Sequence, residues 1–235
     1  MPSLRAVLVR LGNAVVALGA AEPVSTRDWS EAWKEGLEPV VVSPRLVVRP
    51  SFCEPVVGST AEVVIDPGQA FGTGGHASTR LALEWVDALA PTLPGARVLD
   101  AGCGSGVLAL AALRLGAECA LGFDLDPLAA AAARENARVN GLGGKLTLFT
   151  GPLDALEAPP FDLVLANMLS REFLPLAGAL AERTRRGGAI VFSGLLASER
   201  EPVTRALAAA GLDTVDERSE RDANDDEWLA LLTRR

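Results

Sequence analysis

The sequence predicts an α/β fold in which buried strands alternate with helices, and three observations predict it. Residues 97–106 read Arg-Val-Leu-Asp-Ala-Gly-Cys-Gly-Ser-Gly, an apolar run that ends in the acid Asp100 and is followed by glycines at 102, 104 and 106. This is the pattern of a buried strand entering a tight turn, with a helix starting at Val107. Missing Cβ atoms let such a backbone approach a ligand closely, and the helix start offers free N–H groups. A second apolar run, Cys119–Phe123, closes on Asp124-Leu125-Asp126-Pro127. An acid at the end of the second strand of an α/β unit sits beside the first turn, where it can accept both hydroxyls of a ribose. Further apolar runs at Lys145–Phe149, Phe161–Ala166 and Ala189–Ser193 continue the alternation.

The spacing narrows the ligand. A dinucleotide-binding turn reads G-x-G-x-x-G, whereas here the third glycine falls one residue early and Val107 stands where that pattern wants glycine. A D-x-G-x-G-x-G turn suits a ligand with no pyrophosphate to wrap, such as S-adenosylmethionine. The competing explanation of an isolated glycine run is a plain strand-to-helix turn. The pairing with Asp124, 18 residues after Gly106, is what favours a nucleoside site. That interval leaves room for a helix of about three turns and a short loop. Asp126, before Pro127, reads as the N-cap of a helix over Leu128–Asn140.

Composition bounds the rest. The 235 residues suit one sizeable domain with a small appendage, and 49% hydrophobic content is ample for a core. A net charge of −8 argues against a groove for nucleic-acid backbone and suits a basic partner. The cysteines, Cys53, Cys103 and Cys119, show no metal-ligand spacing, so no metal site is expected, and their usage points to a reducing, cytoplasmic compartment. Cys103 lies inside the glycine turn and reads as a small filler. No stretch reaches membrane-spanning length without a charge; residues 107–122 contain Arg114 and Glu118.

In chain order, Ser3–Gly19 alternates around Gly12-Asn13 and reads as a short hairpin. A signal peptide competes, since Arg5 and Arg10 precede Ala14–Ala21, but that apolar run is short and broken by Gly19. Residues 25–38 read as a short helix capped by Ser25, Thr26 or Asp28, with Trp29 and Trp33 on one face. Pro39, Pro44, Pro50 and Pro55 punctuate a linker with extended segments at Val40–Val42 and Leu46–Val48. The organisation expected is a hairpin at 1–24, a helix and linker at 25–60, and the main domain at 61–235. That domain opens with a strand at Glu62–Ile65 and a glycine-rich loop from Asp66 to Arg80. The loop carries the chain's single histidine, His76, before a helix starting near Ser78. A lone histidine is commonly a cap or a satisfied polar group, and the loop as a whole can cover a ligand.

At this point the residues carry a resemblance. Asp66-Pro67-Gly68-x-Ala70-Phe71-Gly72-Thr73-Gly74-x-His76-x-x-Thr79 is followed by Asp100-x-Gly102-Cys103-Gly104-Ser105-Gly106, by Asp124-Leu125-Asp126-Pro127 and by Ala166-Asn167. Together these resemble the ribosomal protein L11 methyltransferase family. The likeness runs from about Asp28, with Asp28-Trp29-x-x-Ala32-Trp33, to a closing Glu227-Trp228 strand. The glycine turn is shared by class I methyltransferases at large, whereas the Phe-Gly-Thr-Gly-x-His loop is far more specific. The resemblance implies a Rossmann-like doubly wound sheet, mostly parallel with an antiparallel edge hairpin. It also implies S-adenosyl-L-methionine as methyl donor and a protein amine as acceptor. Matching the family pattern residue by residue points to Thr79, Gly102, Asp124 and Asn167 at the cofactor, with Gly104, Phe71 and His76 beside them. Family members carry a substrate-recognition domain before the tryptophan helix; here only about 25 residues precede it, too few for an independent core.

Downstream, the loop after Lys145–Phe149 borders the adenine in this fold class, which makes Leu153 and Asp154 candidates for its wall; Asp154 reads equally well as a helix cap. Relatives that methylate amino groups often continue Asn-Pro-Pro-aromatic after the fourth strand, and this chain keeps only the asparagine, Asn167. Gly187-Gly188 and Ala189–Ser193 suggest a fifth strand with a bend at Gly194. Thr214–Glu217 and Glu227–Leu232 supply the edge hairpin, and Arg218–Asp226 reads as a solvated charged loop. An activated sulfonium methyl needs an aligned, unprotonated nucleophile. Asn167 is the candidate catalytic residue, because its amide accepts a hydrogen bond without a full charge that would hold an amine protonated. The expected partner is a basic protein, a ribosomal protein in the first instance. A lysine of an electron-transfer flavoprotein subunit is an alternative substrate, and a non-catalytic nucleoside-binding module is an alternative of another class. A nicotinamide-dependent dehydrogenase is opposed by the early third glycine.

Overall fold

The computed structural model describes residues 9–11, 14–16, 37–66, 72 and 74–235. Residues 25–36 of the tryptophan helix and residues 67–71 and 73 of the glycine loop, Phe71 included, lie outside the described residues. The chain falls into two units, residues 1–37 and 38–235. In the first, β1 (Val9–Leu11) runs antiparallel to β2 (Ala14–Val16) with Leu11 opposite Ala14, the pairing of the hairpin read from the sequence.

The second unit opens with a small sheet. Strand β3 (Val40–Val41) pairs antiparallel with β4 (Leu46–Arg49), which pairs parallel with β5 (Ala61–Val64). Leu46, Val47 and Val48 are each no more than 1% exposed, so the proline-punctuated stretch supplies a strand covered on both faces. Asn140 secures the sheet's outer edge: its Oδ1 accepts from the Val64 N–H (2.9 Å) and its Nδ2 donates to the Val64 carbonyl (2.7 Å).

The main sheet follows. Its strands are β6 (Arg97–Ala101), β7 (Cys119–Asp124), β8 (Leu146–Thr150), β9 (Phe161–Asn167), β10 (Thr184–Leu196), β11 (Asp213–Arg221) and β12 (Glu227–Arg234), in the spatial order β11-β12-β10-β9-β6-β7-β8. All neighbours are parallel except β12, which lies antiparallel between β10 and β11. The longer helices are α1 (Ala77–Ala88), α2 (Val107–Arg114), α3 (Pro127–Val139), α4 (Ser170–Phe173), α5 (Ala177–Arg183) and α6 (Arg200–Ala209). Strand side chains alternate in direction, so successive residues enter opposite cores. Val98, Leu163, Leu165, Val191 and Leu232 join one apolar cluster, while Leu99, Val164, Ala166, Phe192 and Leu231 join the other. A sheet buried on both faces in this way needs continuous apolar runs, and β9 and β10 have them at residues 163–166 and 189–192.

Two expectations are corrected. The helix after the glycine turn spans eight residues, about two turns rather than three. Residues 218–221 are not loop: β11 continues to Arg221, and only the tip between β11 and β12 turns. Arg218 pairs with Glu84 (3.0 Å) and lies over the Trp85 ring at 4.3 Å. A sheet-edge strand can be dense in charge because one face meets water, and charge at an edge also discourages pairing with other chains.

Replacing Asn140 by Ala leaves both main-chain groups of Val64 without that partner. We expect a stability loss of about 2 kcal/mol, read from the urea unfolding midpoint.

Candidate active site

The sheet order places the site. From β6 the winding departs in both directions, to β7 on one side and β9 on the other. At such a reversal the loops leaving adjacent strands separate and open a crevice beyond their carboxyl ends. A cleft of about 710 Å³ lies there, lined by the glycine turn after β6, Asp124 at the end of β7, and Asn167 with Met168 at the end of β9. Its volume is that of a small-molecule site.

The glycine turn is held from several sides. Gly102, Gly104 and Gly106 have φ of 65°, 52° and 79°, the left-handed region where a side chain is strained. The Cys103 N–H donates to the Phe123 carbonyl (2.9 Å), tying the turn to β7. From α3, the buried Asn136 donates through Nδ2 to the Ser105 carbonyl (2.9 Å), and Ser105 Oγ donates to the Gly72 carbonyl (2.6 Å). A Cβ on Gly106 would stand 3.1 Å from that of Ala133, so the third glycine lets the start of α2 approach α3. Asp124 is anchored as well, its Oδ2 accepting from the Gly104 N–H (2.9 Å) and its Oδ1 from the Asp126 N–H (3.0 Å). A carboxylate has about four acceptor positions, so two remain for a ligand. Asp126 caps α3, accepting from the Leu128 N–H at 2.8 Å.

The opposite wall is built by α1, β9 and β12. His76 caps α1, its Nδ1 accepting from the Ser78 N–H (3.2 Å), and it meets the Trp228 ring edge-on at 4.6 Å. Trp228 Nε1 donates to Asp222 (2.9 Å), and this bond holds the Asp222 carboxyl below its ordinary pKa. Asn167 Nδ2 donates to Thr79 Oγ1 (3.2 Å), which leaves Oδ1 as the acceptor of an amide bordering the cleft. Four carboxylic side chains, Asp100, Asp124, Asp126 and Glu172, line the cleft; no lysine or arginine does among the described residues. Asp100 is 1% exposed, and burial pushes its pKa up to about 7 against one hydrogen bond from the Ala109 N–H. Burial likewise pushes the Cys103 thiol up, away from any nucleophilic form.

Comparison with known proteins now decides the family. The model of "Ribosomal protein L11 methyltransferase" matches residues 8–235. The chain belongs to the ribosomal protein L11 methyltransferase family. It is 42% identical over 226 residues to the "Ribosomal protein L11 methyltransferase" of Edwardsiella ictaluri, covering 92% of this chain and 75% of the relative. The protein of the same name from Pelobacter propionicus is 41% identical, with 90% and 68% covered. Among solved structures, the ribosomal protein L11 methylase from Lactobacillus delbrueckii subsp. bulgaricus superposes with a TM-score of 0.73 at 30% identity, over 84% of this chain and 98% of its own. The fold is that of the class I methyltransferases, and the chain is an enzyme of the kind that takes its methyl group from S-adenosylmethionine.

Of the residues singled out from the sequence, Gly102, Gly104, Asp124, His76 and Asn167 meet around this one cleft. Thr79 is fully buried behind it and reaches it through Asn167. Leu153 does not line it: the short turn at Leu153–Ala155 carries that side chain into the core, in the apolar cluster that also holds Phe123 and Leu99. Phe71 lies outside the described residues. Sequence reasoning passed over Met168, Gly194 and Trp228 as lining residues and Asn136 as a support. For Asn136 a signal existed, since an amide among Ala129, Ala133 and Ala137 on a buried helix face needs a partner.

The Asp100 shift gives a pH dependence. The folded state keeps a proton that the unfolded chain releases at the ordinary carboxyl pKa of 3.8, so this stabilisation is full below about pH 4. It is lost as pH rises towards about 7. Asp100→Asn keeps the shape and cannot ionise. Its unfolding free energy relative to wild type should therefore rise with pH across this window, by at most roughly 1.4 kcal/mol per pH unit. Urea titrations of the ligand-free protein at a series of pH values measure it.

Proposed function

We propose that this chain transfers the methyl group of S-adenosylmethionine to amino groups of ribosomal protein L11, at lysine side chains or the N-terminal amine, with Asn167 orienting the acceptor. The observation that carries this reading is the Asn167 amide, pinned by Thr79 at the edge of a cleft whose other wall is the glycine turn and Asp124. The residues present fit the methyl donor. The anchored Asp124 keeps acceptor positions for two ribose hydroxyls, and the turn at 102–106 presents main chain bare of Cβ atoms. When bound, S-adenosylmethionine supplies a methyl group already activated on sulfur.

The protein must then present a neutral amine. Lysine has an ordinary pKa near 10.4, so holding it unprotonated at pH 7 costs about 4.6 kcal/mol in water. Asn167 accepts a hydrogen bond from the amine with a neutral oxygen and so does not stabilise the ammonium form. A carboxylate at the same place would. The cleft's acids serve attraction instead: they favour approach of a cationic substrate, and the chain's net charge of −8 supports a basic protein partner. No described helix is long and apolar enough to cross a membrane, and a ribosomal substrate supports the reading of a cytoplasmic reaction. The family match does not favour a flavoprotein substrate or a non-catalytic module.

Two variants test the role of Asn167. Asn167→Ala should lose most methyl transfer while S-adenosylhomocysteine affinity changes little. Asn167→Asp should be as poor at neutral pH and recover activity as pH rises, because its charge raises the pKa of the bound amine. A residue serving only to cap the following helix would tolerate Asp and cost about 1 kcal/mol of stability as Ala. Full activity of Asn167→Asp at pH 7 would reduce Asn167 to that lesser role.

A further inference from the structure

Two glycines meet one residue of the cleft wall, Gly102 at its side chain and Gly194 at its main chain. Met168, next after Asn167, rests its terminal methyl on Gly102: a Cβ there would stand 2.7 Å from Met168 Cε. The Met168 main chain lies on Gly194, where a Cβ would stand 2.5 Å from the carbonyl oxygen, 2.8 Å from the carbonyl carbon and 3.1 Å from the nitrogen. The two contacts differ in kind. The thioether end can swing aside, but a peptide group between two fixed residues cannot. Gly194 also has a φ of 90° and sits where the register of β10 against β12 shifts between Ser193 and Leu195. At that shift, Met168 N–H donates to the Ser193 carbonyl (3.1 Å) and Ser193 Oγ donates to the Ser78 carbonyl (2.7 Å).

We propose that Gly194 is a positioning residue for methyl transfer: bare of a side chain, it seats the Met168 peptide and so sets the gap between the glycine turn and Asn167. This rests on the methyl-transfer reading above. The geometry works through Met168, a spacer whose main chain is fixed by β10 and whose tip rests on the cofactor turn. A side chain at 194 pushes the Met168 peptide outward, and Asn167, one bond away, moves with it. The glycine turn and Asp124, held by β7 and α3, stay where they are. The defect therefore falls on alignment of the acceptor and spares the cofactor.

The test measures kcat on ribosomal protein L11, S-adenosylhomocysteine affinity by calorimetry, and the unfolding midpoint, for wild type and three variants. Gly194→Ala is expected to lower kcat on the order of a hundredfold, the cost of a misplacement near 1 Å. Its affinity for S-adenosylhomocysteine should stay within about threefold of wild type, since interactions made only in the transition state are lost. Met168→Ala, which removes the spacer, should also lower kcat, and Met168→Leu should recover most of that loss. An unchanged kcat in Gly194→Ala overturns the proposal, as does a parallel fall in kcat and affinity. Should Gly194→Ala fail to fold, equal kcat values for the Ala and Leu variants at 168 overturn it. Absence of transfer by the wild type would strike the methyl-transfer reading itself, whereas an active wild type with an unimpaired Gly194→Ala strikes only this inference.

Discussion

A single hydrogen bond, from Asn167 to Thr79, is the constraint on which the rest of the site depends. It joins the first turn of α1 to the carboxyl end of β9, elements 88 residues apart in sequence. Thr79 is fully buried and Asn167 stands at the cleft, so the bond carries the rigidity of the core to the cleft's edge. Ser193, donating to the Ser78 carbonyl, repeats the stitch from β10. His76 caps the same helix and sets its ring against Trp228, which Asp222 holds in turn. One wall of the cleft is thus fixed as a unit, and the glycine turn, held separately by β7 and α3, forms the other.

The electrostatics divide along the same lines. On the cofactor side the acids are anchored or buried: Asp124 accepts two main-chain N–H groups, and Asp100 lies in an environment that pushes its pKa to about 7. In the proposed reading the acceptor amine meets the uncharged amide of Asn167, while Glu172, which also lines the cleft, is engaged with the Leu169 N–H (3.2 Å). A charged group there would work against an unprotonated amine, and a cation would repel both the sulfonium and a basic substrate. In the proposed reading the cleft's acids draw positive charge towards it, and Asn167 offers the reacting nitrogen a neutral acceptor.

What could be read from the sequence follows from how local each signal is. The glycine turn, Asp124 and the Asp126 cap are contained within short stretches whose backbone demands are visible in residue types alone. The strands β9 and β10 were legible because burial on both faces forces unbroken apolar runs. Gly194 was legible as a bend, but that its missing Cβ makes room for Met168 is a fact about two strands lying side by side. Trp228 reaches the cleft only because β12 inserts between β10 and β11, and no local pattern announces that placement. The charged stretch from Arg218 misled for a related reason: Glu84 and the Trp85 ring, which settle Arg218, come from a helix more than a hundred residues earlier. Leu153 shows the converse, a position expected at the site from the fold class whose turn carries it into the core.

The central claim, that this cleft methylates amino groups of ribosomal protein L11, is tested most directly by the mass of the substrate. Unmethylated L11 is incubated with the enzyme and S-adenosylmethionine, its intact mass is measured, and peptides locate the acceptor positions. The expected result is a gain in whole methyl increments confined to lysine or N-terminal amines, and mostly lost when Asn167 is replaced by Ala. An unchanged L11 mass, with the enzyme shown by calorimetry to bind S-adenosylhomocysteine, would contradict the assignment of substrate. Methyl groups found on oxygen or carbon would contradict the chemistry assigned to Asn167.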